Sequence, residues 1–152
     1  MKKDSDKIRI RIYHVDAFAD EPFKGNPAAV CLLQSMYEDH ILQSIAAEMN
    51  LSETAFLYRL REKPIKDSKC FPLRWFTPKV EVPLCGHATL AAAAVLFRDI
   101  EVLASELAFE TKSGTLTAKK DKNGIRLDFP ADESALVDPN PELLKAIGVA
   151  VF

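Results

Sequence analysis

The sequence predicts an α+β fold in which a curved, mostly antiparallel and barrel-like β-sheet wraps around one central hydrophobic helix. Three observations lead to this prediction. Residues 86–97 combine strong helix formers with no polar face, several short runs have the composition of strands, and residues 38–49 have the spacing of an amphipathic helix. A helix that is apolar all round is expected to be buried on all sides, so the strands should enclose residues 86–97.

The first half of the chain contains the predicted strands that precede this helix. Alternating isoleucines and arginines at the start predict a half-buried strand whose arginines face solvent (Ile8, Arg9, Ile10, Arg11 and Ile12). Residues 28–33 follow a Gly-Asn-Pro turn and predict a buried strand, and residues 54–60 and 71–77 are rich in strand-forming aromatic residues. Between them, residues 38–49 should form the outer helix, with Asn50 as its stop.

The second half predicts a β-meander and a connector. Residues 106–111, 115–119 and 125–129 alternate like strands and are separated by Ser-Gly and Lys-Asn-Gly turn signals. After residue 130 the chain becomes polar and proline-rich, and residues 141–147 offer one short helix.

Length, charge and cysteine content exclude several classes of protein. The chain has 152 residues, the length of one ordinary domain, and its net charge of -2 leaves no basic excess for binding nucleic acid. The longest apolar run, residues 88–97, is far shorter than the ~20 residues that span a bilayer, and no signal-peptide core is visible. The cysteines lack metal-ligand spacing, so we expect free thiols, no metal site and a cytoplasmic protein (Cys31, Cys70 and Cys85).

Glu53 has two interpretations that local sequence leaves open. On a strand, Glu53 would share a face with Ala55 and Leu57, and a carboxyl group among apolar side chains is suited to take and return a proton near neutral pH. Alternatively, Ser52 caps a helix and Glu53 lies at its favourable N-terminus.

The start of the central helix is a candidate anion site, because backbone N–H groups and the positive end of the helix dipole converge there. Gly86 would let a substrate carboxylate approach the backbone, and His87 could donate a hydrogen bond. Cys85 is a candidate thiolate base, since a helix N-terminus lowers the pKa of a thiol. The alternative is a glycine turn with an inert buried cysteine and a capping histidine.

Two further segments carry weaker signals. Asn26, on the Gly-Asn-Pro turn, could hydrogen-bond a ligand, although asparagine is also ordinary turn chemistry. Arg74 and Glu81 form a second candidate pair of polar residues, but a core strand followed by a loop explains their presence without a functional role.

In their order and spacing these segments resemble the phenazine-biosynthesis PhzF-like family, which has the diaminopimelate-epimerase-type fold. The matching stretches are VDAFADEPFKGNPAAV, MNLSETAFL, LRWFTPKVEVPLCGHATLAAAAVLF and TKSGTLTAKK. The resemblance implies that residues 8–130 form the N-terminal lobe of a two-lobe enzyme. It also implies that residues 131–152 are a connector and the start of a second lobe that is missing here.

The resemblance also implies roles for individual residues. Glu53 falls on the acid/base glutamate of the family, Gly86 and His87 fall on the Gly-His of the substrate pocket, and Asn26 falls on a turn near that pocket. Cys85 is a secondary candidate: diaminopimelate epimerases use a cysteine at the equivalent helix start as a base, whereas PhzF does not need one.

The function implied is that of a cofactor-independent isomerase or epimerase that moves a proton on a small carboxylate-bearing metabolite. No nucleotide, flavin or metal motif appears in the sequence. In the family the site lies in the cleft between two lobes, and the second lobe supplies further groups, including an aspartate. A different class of function is therefore a non-catalytic lone lobe, which would form a homo-oligomer or pair with a separately encoded second half through its exposed cleft surface.

Overall fold

The structure is a computed structural model that describes residues 9–59, 64–131, 133–138 and 140–148. It contains eight strands and three α-helices within those ranges. The strands are β1 (Arg11–Ala17), β2 (Asn26–Leu33), β3 (Glu53–Tyr58), β4 (Cys70–Phe76), β5 (Glu81–Val82), β6 (Glu106–Thr111), β7 (Gly114–Asp121) and β8 (Gly124–Asp128). The helices are α1 (Asp39–Met49), α2 (Gly86–Ala94) and α3 (Pro141–Ala146).

The strands form one sheet in the order β1-β2-β3-β4-β6-β7-β8, with the short β5 paired to β4. The pairs β2–β3 and β4–β6 are parallel, and the other strand pairs of the described residues are antiparallel. Helix α2 contacts β1, β2 and β3 on one side and β8 on the other, so the sheet curls around the helix. The predicted curved, mostly antiparallel sheet around a hydrophobic helix is confirmed.

Helix α2 forms the centre of the main core. Ala88, Ala91, Ala92 and Ala93 are fully buried, and the small side chains let the sheet approach the helix closely. The helix continues as a π-helical turn at Val95–Asp99, whose first three side chains are also buried. Residues 86–97 are therefore helical as predicted, and most of them are buried, although Leu90 and Ala94 remain partly exposed.

Helix α1 covers the opposite face of the sheet. Leu42 and Ala46 pack there against buried side chains of β2, β3 and β4 (Cys31, Leu33, Phe56, Tyr58 and Phe76). Asn50 ends the helix in the left-handed conformation with φ 51°, which asparagine tolerates better than most residues. Strands β2 and β3 are thus covered on both faces, which explains their continuous apolar sequences.

The prediction for the first strand is confirmed only in part: Arg9 and Arg11 are exposed as expected, whereas Ile12 is not buried. Ile12 is 42% exposed, and the side chains that face α2 are instead Tyr13, Val15 and Ala17. The pairing of Tyr13 with Val30 sets this register, and because strand side chains alternate, Ile12 lies on the face away from the main core. Ile10 packs against the α1 side, and Ile8 lies outside the described residues.

The remaining elements follow the prediction closely. The β6–β7–β8 meander turns at Gly114 and Gly124, whose φ values of 94° and 135° favour glycine. The strand predicted over residues 54–60 is β3, although Leu60 lies outside the described residues. Asn140 caps the short helix α3 by accepting hydrogen bonds from the backbone N–H groups of Glu142 and Leu143. Across the described ranges, no helix is both long and apolar enough to cross a membrane.

Candidate active site

Three of the five candidate residues meet where β3 and α2 begin. The functional atoms of Glu53, Cys85 and His87 all lie within 4.8 Å of one another. Glu53 is the first residue of β3, and Cys85 directly precedes α2, in whose first turn His87 lies. The curled sheet therefore brings together residues that are far apart in the sequence.

Glu53 lies on a strand, so its interpretation as a residue at a helix N-terminus is wrong. Helix α1 has already ended at Met49, and the chain enters β3 at Glu53, opposite Ala28 of the parallel strand β2. Ala55 and Leu57 alternate with it and belong to the buried core. The Glu53 side chain lies on the same face of β3 as these two residues and remains 21% exposed. Its carboxyl group therefore has apolar neighbours on the strand and is still accessible to solvent.

His87 connects the two sides of the cluster. Its Nε2 atom lies 3.4 Å from Oε2 of Glu53 and 3.2 Å from Oγ of Ser52, while its Nδ1 atom lies 3.5 Å from Sγ of Cys85. The imidazole is 10% exposed and is therefore held by its surroundings. The sequence suggested Ser52 only as a helix cap. Its contact with His87 could have been predicted only from its position next to Glu53.

The expected thiolate at Cys85 is not supported. Burial raises the pKa of the Cys85 thiol to about 11, and the nearby Glu53 carboxylate acts in the same direction. Backbone N–H groups of Ala88 and His87 lower this pKa, but desolvation outweighs them. The helix N-terminus does lower the pKa of the thiol, but the prediction of a net lowered pKa is wrong, because Cys85 is also buried.

The Cys85 thiol lies within hydrogen-bond distance of His87. A thiol at this pKa carries its proton at neutral pH, and S–H is a weak donor. We therefore assign Nδ1 of His87 as the acceptor of that proton, which leaves Nε2–H to donate toward Glu53 and Ser52. In this arrangement His87 presents a donor to the same space that Glu53 faces.

Gly86 leaves room beside the cluster. A Cβ atom at this position would meet nothing within 4 Å, so the fold itself does not require a glycine here. The open space lies at the N-terminus of α2, where the helix dipole favours negative charge. This agrees with the expected approach of an anionic group to the backbone.

Asn26 is near this end of the sheet but does not join the cluster. It begins β2, two residues before Ala28, the partner of Glu53, and its side chain is exposed. Among the described residues, no hydrogen bond links it to Glu53, Cys85 or His87. Its predicted role in binding stays a prediction.

A polar network that the sequence analysis treated as ordinary strand and loop holds the hairpin before the site. Arg74 on β4 donates to both carboxylate oxygens of Glu81 on β5, at 2.8 and 2.9 Å, and its third nitrogen lies 2.8 Å from Asp39. Lys112 also contacts Glu81, and together the cations lower the pKa of Glu81 to about 2. One feature of the sequence could have indicated this network: Arg74 lies between two residues of β4 that are buried, Leu73 and Trp75.

The network stabilises the segment that leads to the cluster. Strand β5 is followed by Pro83, whose carbonyl accepts a hydrogen bond of 2.8 Å from Ser113 Oγ, and then by Leu84 and Cys85. Strand β5 is thereby tied to β4 through Glu81 and to the β6–β7 turn through Pro83, which fixes where Cys85 and the start of α2 lie.

Comparisons with known proteins agree with this geometry. The profile of the family described as phenazine biosynthesis-like protein matches residues 15–141. A bovine phenazine biosynthesis-like domain-containing protein is 54% identical over 124 residues, which are 81% of this chain and 43% of that protein. A Pseudomonas aeruginosa protein described as an uncharacterized isomerase is 46% identical over 143 residues, which are 94% of this chain and 52% of that protein.

The fold is also similar to that of solved structures. A crystal structure of a phenazine biosynthesis protein of the PhzF family from Enterococcus faecalis superimposes with a TM-score of 0.77 at 44% identity, covering 90% of this chain and 50% of that one. The chain thus spans about half the length of the curated relatives it matches. By its sequence and its fold, the chain belongs to the phenazine biosynthesis-like, or PhzF, family.

Proposed function

We propose that this chain supplies half of the active site of an isomerase or epimerase that transfers a proton on a small carboxylate-bearing metabolite without a cofactor. The observation that carries the proposal is the distance of 3.4 Å between Glu53 Oε2 and His87 Nε2 at the open start of α2. The description of the Pseudomonas aeruginosa relative as an isomerase supports the reaction class.

In this proposal Glu53 is the general base and then the general acid. Its carboxylate takes the proton from a carbon next to an electron-withdrawing group, and the negative charge passes to that group as an enolate. Glu53 then returns the proton, either to another carbon or to the other face of the same carbon. A positioned acid or base of this kind typically contributes 10²–10⁴-fold, on the order of several kcal/mol in the barrier.

The start of α2 would bind the anionic end of the substrate. The space beside Gly86 admits a carboxylate or enolate oxygen, and the helix dipole and the Nε2–H of His87 would stabilise its charge. Removing one donor of this type from an oxyanion site typically costs about 3–4 kcal/mol. Glu53 and His87 would thus act on neighbouring atoms of the substrate, Glu53 on the carbon that loses its proton and His87 on the adjacent carboxylate or enolate oxygen.

Cys85 is the alternative base within the same reaction class. Its sulfur lies 3.5 Å from Nδ1 of His87, which could remove its proton in the manner of a thiol–imidazole pair. Its raised pKa makes the thiolate rare at neutral pH, so we assign Cys85 to holding His87 in place and Glu53 to proton transfer.

We further propose that another lobe completes the cleft. Leu84, next to Cys85, is 41% exposed, and Phe23 is 96% exposed in the turn that precedes β2. Exposed apolar side chains favour association, here with a second lobe of the same protein, a separate chain or a second copy. A non-catalytic binding module would expose the same surface, so association alone does not separate the two functions.

The experiment is solvent exchange in D2O with a panel of small carboxylic acids that carry an acidic C–H bond. The chain is assayed alone and together with the second half of a full-length relative, and deuterium uptake is followed by mass spectrometry. Static light scattering of the same samples reports association. We expect deuterium uptake into one substrate class when the cleft is complete. Association without exchange of any acid in the panel would favour the binding module.

A further inference from the structure

We propose that Glu53, Cys85 and His87 also form a three-ligand site for a thiophilic divalent cation such as Zn2+, and that the bound ion blocks proton transfer. The first part stands on the geometry alone, whereas the second part rests on the proposed function. The site would be inhibitory, because the residues that bind the ion are those proposed to handle the proton and the substrate.

The ligand chemistry suits zinc. A thiolate, an imidazole nitrogen and a carboxylate oxygen are the ligand types that zinc takes in proteins, and three protein ligands with one open position are typical of accessible zinc sites. Binding of the ion would displace the proton of the Cys85 thiol to solvent. In the described residues, this is the only group of three or more such side chains close enough to share an ion. No spacing in the sequence predicts this site, because Glu53 lies on a different element from Cys85 and His87.

The distances are close to those of a tetrahedral ion. With zinc bonds of about 2.0–2.3 Å, ligand atoms around one tetrahedral ion lie roughly 3.3–3.8 Å apart. His87 Nε2 lies 3.4 Å from Glu53 Oε2, His87 Nδ1 lies 3.5 Å from Cys85 Sγ, and one ligand atom from each residue fits within 4.8 Å. Since imidazole binds an ion through one nitrogen, only one of these two His87 contacts can be kept, and the remaining ligand atom, within 4.8 Å, must move closer to bind the ion.

The surroundings would support the bound state. Cys85 is 8% exposed, and the start of α2 fixes the backbone of both Cys85 and His87. Binding of the ion would therefore cost little conformational entropy at these two residues. With Nδ1 on the ion beside Cys85, Nε2–H can donate to Ser52 Oγ, which lies 3.2 Å away. Such an outer hydrogen bond orients a metal-binding histidine and raises its affinity for the ion.

The first test is a calorimetric titration of the chain with Zn2+ alone. We expect one ion per chain, and at least a ~10-fold loss of affinity in each of Glu53→Gln, Cys85→Ser and His87→Asn. Cys70→Ser is the matched control: Cys70 Sγ lies 3.3 Å from Glu110 Oε1, a cysteine–carboxylate pair without a histidine, and its loss should leave the affinity unchanged. Circular dichroism of each variant confirms that it is folded.

A second measurement uses the unaltered chain and so does not depend on how the variants fold. Zn2+ should protect Cys85 from alkylation, as followed by peptide mass mapping, while Cys70 reacts at the same rate with and without the ion. Co2+ should produce a thiolate-to-metal charge-transfer band that Cys85→Ser lacks. Absence of saturable binding at one ion per chain, or binding that Cys85→Ser and His87→Asn leave unchanged, would overturn the site.

Inhibition is tested separately from binding. Zn2+ should suppress deuterium exchange into the substrate, and a chelator should restore it. If no acid in the panel exchanges at all, the proposed function fails while the calorimetric result still decides the metal site. Exchange that continues with the site saturated would overturn the inhibitory role.

Discussion

Nε2 of His87 lies 3.4 Å from Oε2 of Glu53, although one residue is in a helix and the other begins a strand. The contact exists because the sheet curls around α2 and brings the N-terminal end of the helix to the start of β3. It places a proton acceptor and a hydrogen-bond donor beside an open space at the positive end of a helix dipole. The proposed chemistry depends on this contact, and the proposed metal site depends on the proximity of the same two residues to Cys85.

Replacing Gly86 with Ala should separate stability from activity. The added methyl group meets nothing within 4 Å in the folded chain, and alanine favours a helix over glycine by about 0.5–1 kcal/mol, so the free energy of unfolding should not fall. The same methyl group would occupy the space proposed for the substrate anion. We expect at least a ~10-fold rise in KM or loss of kcat/KM, equivalent to about 1.4 kcal/mol.

Gly25→Ala is the matched comparison for this prediction. A Cβ atom there would lie 2.5 Å from the carbonyl oxygen of Ala17, so this variant should be destabilised, by about 1–3 kcal/mol. Urea unfolding of both variants measures the two stabilities. A Gly86→Ala variant that binds and turns over substrate normally would place the anion elsewhere.

Two substitutions of Cys85 distinguish a base from a positioning residue. Serine keeps an O–H donor toward Nδ1 of His87 but is a far weaker acid than a thiol, whereas alanine has no donor at all. If Cys85 only holds His87, Cys85→Ser should keep exchange within a few-fold and Cys85→Ala should lower it by about 10-fold. Loss of exchange in both variants to the same extent, together with substrate protection of Cys85 against alkylation, would identify the thiol as the base.

The Arg74–Glu81 pair should make part of the stability depend on acid pH. The folded-state pKa of Glu81 is about 2, below its ordinary value of 4.5, so the ionised carboxylate stabilises the fold above the ordinary value. That contribution is lost as the pH falls through about 2. Glu81→Gln should therefore cost about 1–3 kcal/mol at neutral pH, and the difference from the unaltered chain should shrink between about pH 5 and pH 2.

Glu21→Gln provides the control for this prediction. Glu21 pairs with Lys24, but both side chains are about two-thirds exposed, at 67% and 69%, so the loss should stay below about 0.5 kcal/mol at any pH. Urea unfolding across the pH series measures both variants. A cost for Glu81→Gln that does not change with pH would show that the ionised state of Glu81 contributes nothing.

Periodicity and turn chemistry were sufficient to predict most of the fold. The apolar helix at residues 86–97, the helix stop at Asn50 and the glycine turns of the meander depend on local rules that the structure obeys. The face of β1 could not be predicted in this way, because the pairing of Tyr13 with Val30 decides it and that partner lies across a long turn. Two-sided burial of β2 and β3 likewise depends on α1 covering the sheet.

The site residues were predictable only as separate candidates. Resemblance to a family singled out Glu53, Gly86 and His87, but no sequence spacing gives the contact of His87 with Glu53 and Ser52 or the ion pair of Arg74 with Glu81. The pKa of Cys85 was predicted in the wrong direction, because a helix N-terminus is visible in a sequence whereas burial at that N-terminus is not.

The most direct test of the proposed chemistry is deuterium exchange by Glu53→Gln. Glutamine keeps the size and much of the hydrogen bonding of Glu53 but cannot accept a proton, so exchange into the substrate should fall by at least ~10²-fold with little change in stability. Glu48→Gln, an exposed position on α1, should exchange like the unaltered chain. Equal deuterium uptake by Glu53→Gln and Glu48→Gln would contradict the assignment of Glu53 as the group that moves the proton.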